Sequence, residues 1–513
     1  MYGVSSTSAA LFLAVTAIIF IFFKHDKSQQ KANNFLSYVI HCYLIRRYPI
    51  RTCSDGRPIP TCSYRWPNGQ GDVAKFLEGE KNSRDWGRVY GRAYRIWSGM
   101  TPEVVVRDAA DVEAVFKDSD KHSKAINNDA GWLMGELLGK CLGLINGTKY
   151  QKLRDITKHA FTHKSASTYL AQIERITKHH FDVISTEGGL QHGIIDPVAD
   201  LRFLPFWIVA DIIYGDQLSI RLKSELKDLI KLRESLWTRM IQGGATRHSW
   251  SQYLPTKTTR DLKDFKQRWA RFNEEAYEES KSKGQAAIVQ MYEGIESDSV
   301  EREQVLQTID EMLFANLDVT MGGISWNLLF LAAHQDVQEQ IRQEIRQTRD
   351  SSTAEYTWNS YLQSSSTLLA ASILESSRLK PLAAFTVPQS APTDRVVAGF
   401  LVPAGTNFIV DTHALNTRNP YWGPDGEAYR PSRFLNRKPA EMRYQFWRFG
   451  FGPRQCLGKF VVDLIIRVLM AHLVENYRLH PAGTTNWEKD PATWILHPNT
   501  KLRCEKIRAD ADS

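Results

Sequence analysis

One cysteine of this chain, Cys456, lies in a glycine-rich loop whose residue types could bind a metal. The loop reads Phe449-Gly450-Phe451-Gly452-Pro453-Arg454-Gln455-Cys456-Leu457-Gly458. Its glycines lack a Cβ, so the backbone can turn tightly and pass close to a flat ligand. Apolar residues then recur every three or four positions, which predicts a helix directly after the loop: Leu457, Val461, Leu464 and Val468. Backbone N–H groups at the start of a helix favour negative charge, so they would stabilise Cys456 as a thiolate, the form that binds metals.

Six residues of this loop match the haem-binding signature of the cytochrome P450 family: Phe449, Gly450, Gly452, Arg454, Cys456 and Gly458. The chain thus resembles the haem-thiolate monooxygenases of that family. The resemblance implies that Cys456 is the axial ligand of the iron of haem b. It also implies that Phe449, Gly450 and Gly458 lie at the haem and that Arg454 holds a haem propionate, for which its charge and fork geometry are suited. The alternative is an ordinary buried cysteine, which the six matched positions outweigh.

A helix predicted to run from residue 146 to residue 161 resembles a second haem-binding element of the family. Relatives carry a tryptophan there and, four residues later, an arginine, and both reach a haem propionate. Tyr150 and Arg154 occupy these two positions, one helical turn apart on the same face. The resemblance therefore implies that both bind the cofactor. The alternative is that Arg154 is a surface arginine on an amphipathic helix.

The long helical pattern from Arg302 to Arg349 contains a segment, 315–323, that resembles the family's central helix. In the family an acid followed by an alcohol organises proton delivery to oxygen on this helix. Asp318 matches the acid, whereas Val319 stands at the usual alcohol position and Thr320 follows one place later. We therefore predict Asp318 and Thr320 as the catalytic residues. The alternative for Asp318 is a helix-capping or salt-bridged carboxylate.

Three charged residues resemble a structural triad of the family. Glu375 and Arg378 are spaced to lie on one helical face, and Arg433 follows in the run Pro431-Ser432-Arg433-Phe434, shortly before the cysteine loop. The resemblance implies that the three are buried together and fix the segment that carries Cys456. The first two, taken alone, could equally be a solvated surface pair.

Composition restricts the function classes. The 65 Lys and Arg residues exceed the 57 Asp and Glu residues only mildly, for a formal net charge of +8, and no basic run is dense enough to indicate a nucleic-acid partner. A membrane surface or an acidic protein partner suits this balance better. The six cysteines are scattered without metal-binding spacing, which indicates a reducing, cytosol-facing compartment.

The first 24 residues predict a membrane anchor. Residues 1–23 carry no charge, and Lys24, Asp26 and Lys27 follow them. About twenty uncharged residues can cross a bilayer as a helix, and positive charges on its C-terminal side place the rest of the chain in the cytosol. A cleaved signal peptide is the competing interpretation. We expect an anchor at 1–24, a linker and membrane-proximal hinge at 25–70, and a catalytic domain at 71–513.

The predicted fold class is mainly α with a smaller β region, that is, the cytochrome P450 fold behind an N-terminal transmembrane helix. Short β-rich runs between Val89 and Val106, and again at 400–410, indicate the small sheets. The single-pass protein would lie in the endoplasmic reticulum with its catalytic domain facing the cytosol, as in microsomal fungal members of the family.

The resemblance implies a monooxygenase that uses O2 and electrons from NADPH through NADPH-cytochrome P450 reductase. Its expected substrate is a small, largely apolar organic molecule, an intermediate of secondary metabolism with a cyclic dipeptide among the candidates. One alternative is a haem-thiolate isomerase or dehydratase that needs no external electrons, which Val319 favours. The other is a non-catalytic haem protein.

Overall fold

The computed structural model describes residues 26–216, 218–281, 286–350, 354–435, 437–438, 440–483, 487–490, 493–495 and 497–507. The predicted anchor at 1–24 lies outside these residues. Within them, no helix combines the length and the hydropathy needed to cross a bilayer.

Helices make up most of the fold. The first ten are α1 Asp26–Arg47, α2 Gly79–Tyr90, α3 Ala109–Phe116, α4 Trp132–Leu138, α5 Gly147–Thr157, α6 His163–Thr168, α7 Leu170–Glu187, α8 Pro197–Leu201, α9 Phe203–Tyr214 and α10 Ile220–Gln242. The next ten are α11 Lys257–Lys281, α12 Ala287–Glu296, α13 Arg302–Ala315, α14 Met321–Ala333, α15 Gln335–Arg349, α16 Ala354–Gln363, α17 Leu368–Leu379, α18 Thr412–Thr417, α19 Ser432–Leu435 and α20 Lys459–Asn476. Short π-helical turns occupy Val73–Leu77 and Asn316–Thr320. The predicted predominance of helix is confirmed.

Eleven short strands are found in the described part of the chain: β1 Arg51–Thr52, β2 Ala93–Ser98, β3 Thr101–Val106, β4 Ser123–Lys124, β5 Ile194–Ile195, β6 Gln389–Ser390, β7 Arg395–Val397, β8 Phe400–Val402, β9 Asn407–Val410, β10 Tyr477–Pro481 and β11 Leu502–Lys506. They form sheets of order β2-β3-β9-β6-β4, β1-β8-β7 and β10-β11-β5. β3 and β9 pair in parallel, whereas β2 and β3 form an antiparallel hairpin. The predicted small β region is confirmed, although β8 and β9 belong to different sheets.

The residues from 50 to 64, predicted as part of a linker, pack into the folded body. β1 pairs with β8, and Ile50, Ile59, Cys62 and Tyr64 are all buried. This segment is rich in proline and has little regular structure, but four of its side chains still bury apolar surface in the folded body. The folded body therefore begins before residue 70.

The central helix is continuous from α13 through the π-helical turn Asn316–Thr320 into α14. α14 is apolar on nearly all sides and is buried almost entirely, as expected for a helix that runs through a core rather than along a surface. α20, the helix predicted to follow the cysteine loop, is confirmed, and its residues Val461, Leu464 and Val468 are buried. These two helices position the two sides of the site described next.

Candidate functional site

A cavity of about 870 Å³ lies between the cysteine loop and the central helix. Cys456, Phe449, Gly450 and Gly458 line one side of it, and the π-helical turn Asn316–Thr320 lines another. Most of the wall is apolar, as in sites that bind a cofactor or a small organic ligand. The structure thus brings the predicted loop and the predicted central-helix segment to one cavity.

The cysteine loop presents the Cys456 thiol to this cavity. The backbone N–H of Cys456 donates to the Phe449 carbonyl at 2.9 Å, which closes the loop. Gly450 adopts a φ of 84°, a conformation that disfavours any residue with a Cβ. Burial raises the pKa of Cys456, whereas the Gly458 backbone N–H and the Lys459 ammonium act in the opposite direction. The side chain is nevertheless exposed, because it faces the cavity.

Tyr150, Arg154 and Arg454 form a cluster at the cavity wall. Arg154 Nη1 donates to the Tyr150 hydroxyl at 2.7 Å, and the Arg454 guanidinium lies 4.1 Å from the centroid of the Tyr150 ring. Arg454 also donates to Asn146 Oδ1 and to the Ile145 carbonyl, both at 2.7 Å. Within the described residues, the two guanidiniums donate to the Tyr150 hydroxyl, Asn146 and the Ile145 carbonyl, none of which is a carboxylate. Two half-buried cations without a carboxylate partner are suited to bind an acidic ligand group.

Three further residues of this cluster were not predicted from the sequence. Asn146 Oδ1 accepts from the backbone N–H of Lys124 at 2.9 Å and so joins β4 to Arg454. Burial and the nearby Arg454 lower the pKa of Lys124 to about 8, and burial raises the pKa of Glu311. Lys124 and Glu311 also line the cavity, so they belong to the same polar region.

The residues present fit a haem. A thiol faces an apolar cavity, a glycine at positive φ allows close approach of a planar ring, and two arginines without a carboxylate partner lie at the edge. The Cys456 thiol could hold the iron, and Arg154 and Arg454 could hold a propionate. The guanidiniums of Arg154 and Arg454 have hydrogen-bond partners but no carboxylate partner among the described residues. This excess of positive charge is the feature of the structure that favours an acidic cofactor.

Replacing Arg454 by methionine is expected to weaken haem retention by about 10- to 100-fold, because the change removes a charge and the two hydrogen bonds that hold the guanidinium. The measurement is the rate at which the purified protein loses haem to an excess of a haem-scavenging globin. Arg443→Met, in the same segment but exposed, is the matched control. Equal rates of haem loss in the two variants would contradict this role.

The π-helical turn widens the central helix where it borders the cavity. Thr320 Oγ1 donates to Asn316 Oδ1 at 2.9 Å, and Asn316 Nδ2 donates to the Met312 carbonyl at 2.6 Å. Both Val319 and Thr320 line the cavity. Because its proton is directed at Asn316, the Thr320 oxygen keeps acceptor capacity toward other groups.

Asp318, the predicted acid, is held by several partners. Its Oδ1 accepts from Arg202 Nη2 at 2.9 Å and its Oδ2 accepts from Trp494 Nε1 at 2.8 Å. Its backbone carbonyl lies 2.8 Å from Nε2 of His497. The salt-bridged carboxylate foreseen as an alternative is therefore present, and Asp318 also lines the cavity. Neither Arg202 nor Trp494 was predicted to take part.

Glu375, Arg378 and Arg433 are in contact and buried. The Glu375 carboxylate accepts from Arg378 Nε and Nη2 at 2.7 and 2.8 Å and from Arg433 Nε at 3.2 Å. It also accepts from the Arg430 backbone N–H at 2.9 Å. This burial excludes the solvated surface pair that spacing alone left open.

The two arginines connect this carboxylate to the chain that precedes the cysteine loop. Arg378 Nη1 donates to the carbonyls of Asn416 and Gly426 at 3.0 and 2.6 Å. Arg433 donates to the carbonyls of Trp422 and Asp425 at 2.8 and 2.7 Å. Four backbone carbonyls between residues 416 and 426 thereby accept hydrogen bonds from buried arginine side chains.

Aromatic rings from distant parts of the chain cover the apolar part of the cavity. Trp237 of α10 and Trp494 have ring centroids 5.1 Å apart, and Phe76 lies 6.2 Å from Trp494. Ala383 and Phe385, just after α17, also line the wall. The cavity that these rings and Cys456 line has room for a small, largely apolar molecule.

A thiol on a glycine loop at an apolar cavity, with a π-helical turn of a long central helix in the same cavity wall, is typical of haem-thiolate enzymes. A family model described as cytochrome P450 matches residues 76–504, and the chain therefore belongs to the cytochrome P450 family. The family membership that the sequence motifs predicted is confirmed. The family implies haem as cofactor, with O2 and NADPH-derived electrons delivered through a reductase.

Fungal relatives match over nearly the whole chain. The chain is 52% identical over 474 residues to the cytochrome P450 monooxygenase aclC of Aspergillus oryzae, which covers 91% of this chain and 96% of the relative. It is 46% identical to the monooxygenase asaD of Aspergillus flavus, over 92% of this chain and 91% of the relative. The prediction of a monooxygenase is confirmed.

Solved structures show the same fold. A zebra fish cytochrome P450 with abiraterone superposes with a TM-score of 0.65 at 15% identity, covering 84% of this chain and all of that one (100%). A second structure of the zebra fish protein, with progesterone, gives the same TM-score of 0.65. At this identity the likeness concerns the fold alone.

Proposed function

We propose that this haem monooxygenase oxidises a small, largely apolar organic molecule, an intermediate of fungal secondary metabolism, with a cyclic dipeptide as the first candidate to test. The observation that carries the proposal is the exposed Cys456 thiol in an apolar cavity that is also lined by the π-helical turn Asn316–Thr320. Fungal relatives that are themselves monooxygenases support it.

In this proposal Cys456 binds the haem iron through its sulfur. Arg454, Arg154 and Tyr150 hold a propionate, and Phe449, Gly450 and Gly458 allow the ring to lie against the loop. When bound, the haem supplies the activation of O2. Glu375, Arg378 and Arg433 act only on structure, because they satisfy the carbonyls of the segment that leads to Cys456.

Asp318 and Thr320 would organise proton delivery from the π-helical turn of the central helix. Thr320 lines the cavity while Asn316 fixes its hydroxyl, so its oxygen can accept a hydrogen bond from a group in the cavity. Val319, at the usual alcohol position, has no hydrogen-bonding atom in its side chain. Thr320 therefore takes the alcohol's role, with Asn316 as the residue that orients it.

Replacing Thr320 by valine is expected to lower product formation at least about 100-fold while oxygen uptake continues, because proton delivery in catalysis contributes about 10²- to 10⁴-fold. Electrons would then appear as hydrogen peroxide instead of as product. The measurement is the ratio of product and peroxide to NADPH consumed. Thr320→Ser keeps the hydroxyl and should retain most of the product. A valine variant with an unchanged product yield would exclude Thr320 from the reaction.

The proposed location of the protein rests on the charge pattern of its first residues. We place an anchor at residues 1–24 in the endoplasmic reticulum membrane, with the catalytic domain on the cytosolic side and residues 25–70 nearest to the membrane. NADPH-cytochrome P450 reductase is the proposed electron donor. The mild basic excess of the chain supports an acidic partner or a membrane surface over a nucleic acid.

The test is NADPH-driven oxidation by the purified holoprotein with a fungal reductase and a panel of cyclic dipeptides and other small apolar molecules. The proposal predicts NADPH-dependent oxygen uptake and a product that is heavier by one oxygen or lighter by two hydrogens. Conversion of a substrate without NADPH would instead favour the isomerase or dehydratase. Absence of turnover across the panel would favour a non-catalytic haem protein.

A further inference from the structure

We propose that Asp463 of α20 is a positioning residue for Cys456: its ion pair with Arg448 fixes the start of the cysteine loop against the helix that follows the loop. The inference rests on the proposed function, because it assumes that the Cys456 sulfur binds haem iron. Arg448 directly precedes Phe449, and its Nη2 lies 2.7 Å from Asp463 Oδ1. The pair therefore connects the two flanks of the loop that presents the thiol.

The ion pair is the contact that fixes Arg448. The preceding residue, Trp447, exchanges two hydrogen bonds with the Asn416 side chain, at 2.8 and 2.9 Å. The following residue, Phe449, accepts at its carbonyl from the Cys456 backbone N–H. Arg448 lies between these links, and its own backbone makes no hydrogen bond in the part of the chain that the structure describes. Its guanidinium lies 4.5 Å from the centroid of the Phe449 ring, so the ion pair also restrains that ring.

Asp463 is itself held in place on α20. Its Oδ2 lies 2.8 Å from Nη2 of Arg467, one turn further along the same helix. Arg467 is buried, and its Nη1 donates to the Leu362 carbonyl near the end of α16 at 3.0 Å. Burial alone would raise the pKa of Asp463, but the two guanidiniums outweigh it and lower this pKa. Arg448 is therefore bound to a charged carboxylate whose position is set by a helix of the core.

The carboxylate partner also distinguishes Arg448 from the two arginines assigned to a propionate. All three line the cavity, but the Arg154 and Arg454 guanidiniums donate to neutral groups among the described residues. The Arg448 charge is balanced by Asp463, so this guanidinium is less suited to bind an acidic group of a cofactor. We therefore assign Arg448 to the position of the loop and not to the propionates.

The rate at which thiolate ligation is lost from the purified holoprotein tests this role. The reduced carbon monoxide complex is followed in mild denaturant while its red-shifted Soret band disappears. Asp463→Asn and Arg448→Met should each lose the band about 10- to 100-fold faster than the wild type, because contacts that orient a metal ligand have effects of this size. Asp463→Glu keeps the charge and should stay close to the wild-type rate. Arg448→Met serves if Asp463→Asn does not fold.

Glu475→Gln is the matched control for a general weakening of the helix. Glu475 also lies on α20 and also pairs with an arginine, since its Oε1 lies 3.1 Å from Nε of Arg349, but it is near the C-terminal end of the helix. This variant should lose the band at the wild-type rate. Equal acceleration in Glu475→Gln and Asp463→Asn would overturn the inference, because the effect would then not depend on the cysteine loop.

The double variant Arg448→Met/Asp463→Asn tests whether Asp463 acts through Arg448. It should lose the band no faster than Asp463→Asn alone, because either change already removes their contact. Additive effects of the two changes, or a wild-type rate in Asp463→Asn, would overturn the inference and leave the proposed function intact. A wild-type protein that binds haem without the thiolate band would refute the proposed function and this inference with it.

Discussion

Replacing Glu375 by alanine is expected to destabilise the protein by about 3–5 kcal/mol, because breaking a buried ion pair leaves uncompensated charge in the interior. Glu375 and Arg378 are both fully buried, at 0% exposure. The loss would also release Arg433 and the carbonyls it satisfies before the cysteine loop. The measurement is the free energy of unfolding in denaturant, together with the haem content of the purified variant.

An exposed ion pair provides the control for this prediction. Lys178 and Asp182 form a salt bridge with side-chain exposures of 71% and 62%, and Asp182→Ala is expected to destabilise the protein far less than Glu375→Ala, because solvent screens this pair. If Glu375→Ala lost no more stability than Asp182→Ala and retained its haem, Glu375 would not be the residue that holds this segment together.

Replacing Cys456 by serine is expected to abolish monooxygenation and to remove the thiolate signature of the bound haem. A serine hydroxyl is far less acidic than a thiol, so it supplies no anionic sulfur to the iron and no electron push toward oxygen. The measurements are the haem and iron content of the purified variant and its NADPH-driven product formation. Cys53→Ser, at an exposed cysteine, should behave like the wild type. Retained activity in the Cys456 variant would refute the assignment.

The parts of the site that could be predicted from the sequence are those with short, fixed spacing. The cysteine loop combines glycines, one arginine and one thiol within ten residues, so its chemistry is visible in one stretch. Glu375 and Arg378 lie one helical turn apart, and burial is the only feature that had to come from the fold. The helix after the loop was equally visible from its apolar period.

The parts that could not be predicted depend on contacts between distant segments. Lys124, Asn146 and Glu311 meet near Arg454 only because β4, the start of α5 and α13 converge at the cavity. Arg202 and Trp494 reach Asp318 from positions 116 and 176 residues away along the chain. No local pattern marks such residues, because the sequence around a single charged or aromatic residue does not show whether its side chain lies on the surface or in a functional site.

Two local features were also missed for physical reasons. The helix α14 that follows the π-helical turn at Asn316–Thr320 is apolar on nearly all sides, so no shift of an apolar face marks the turn in the residue pattern. Residues 50–64 resemble a linker in their proline content, yet their backbone pairs with β8 and with β2 of the β2–β3 hairpin. The sequence of the segment itself does not show these pairing partners, because they lie far away along the chain and meet it only in the folded protein.

The central claim is that the Cys456 sulfur is bound to haem iron. The most direct measurement is the difference spectrum of the reduced, purified protein with and without carbon monoxide. The account predicts the red-shifted Soret band after which cytochromes P450 are named, present in the wild type and absent in Cys456→Ser. A wild-type protein that binds haem but gives the carbon monoxide spectrum of a histidine-ligated haem would contradict it.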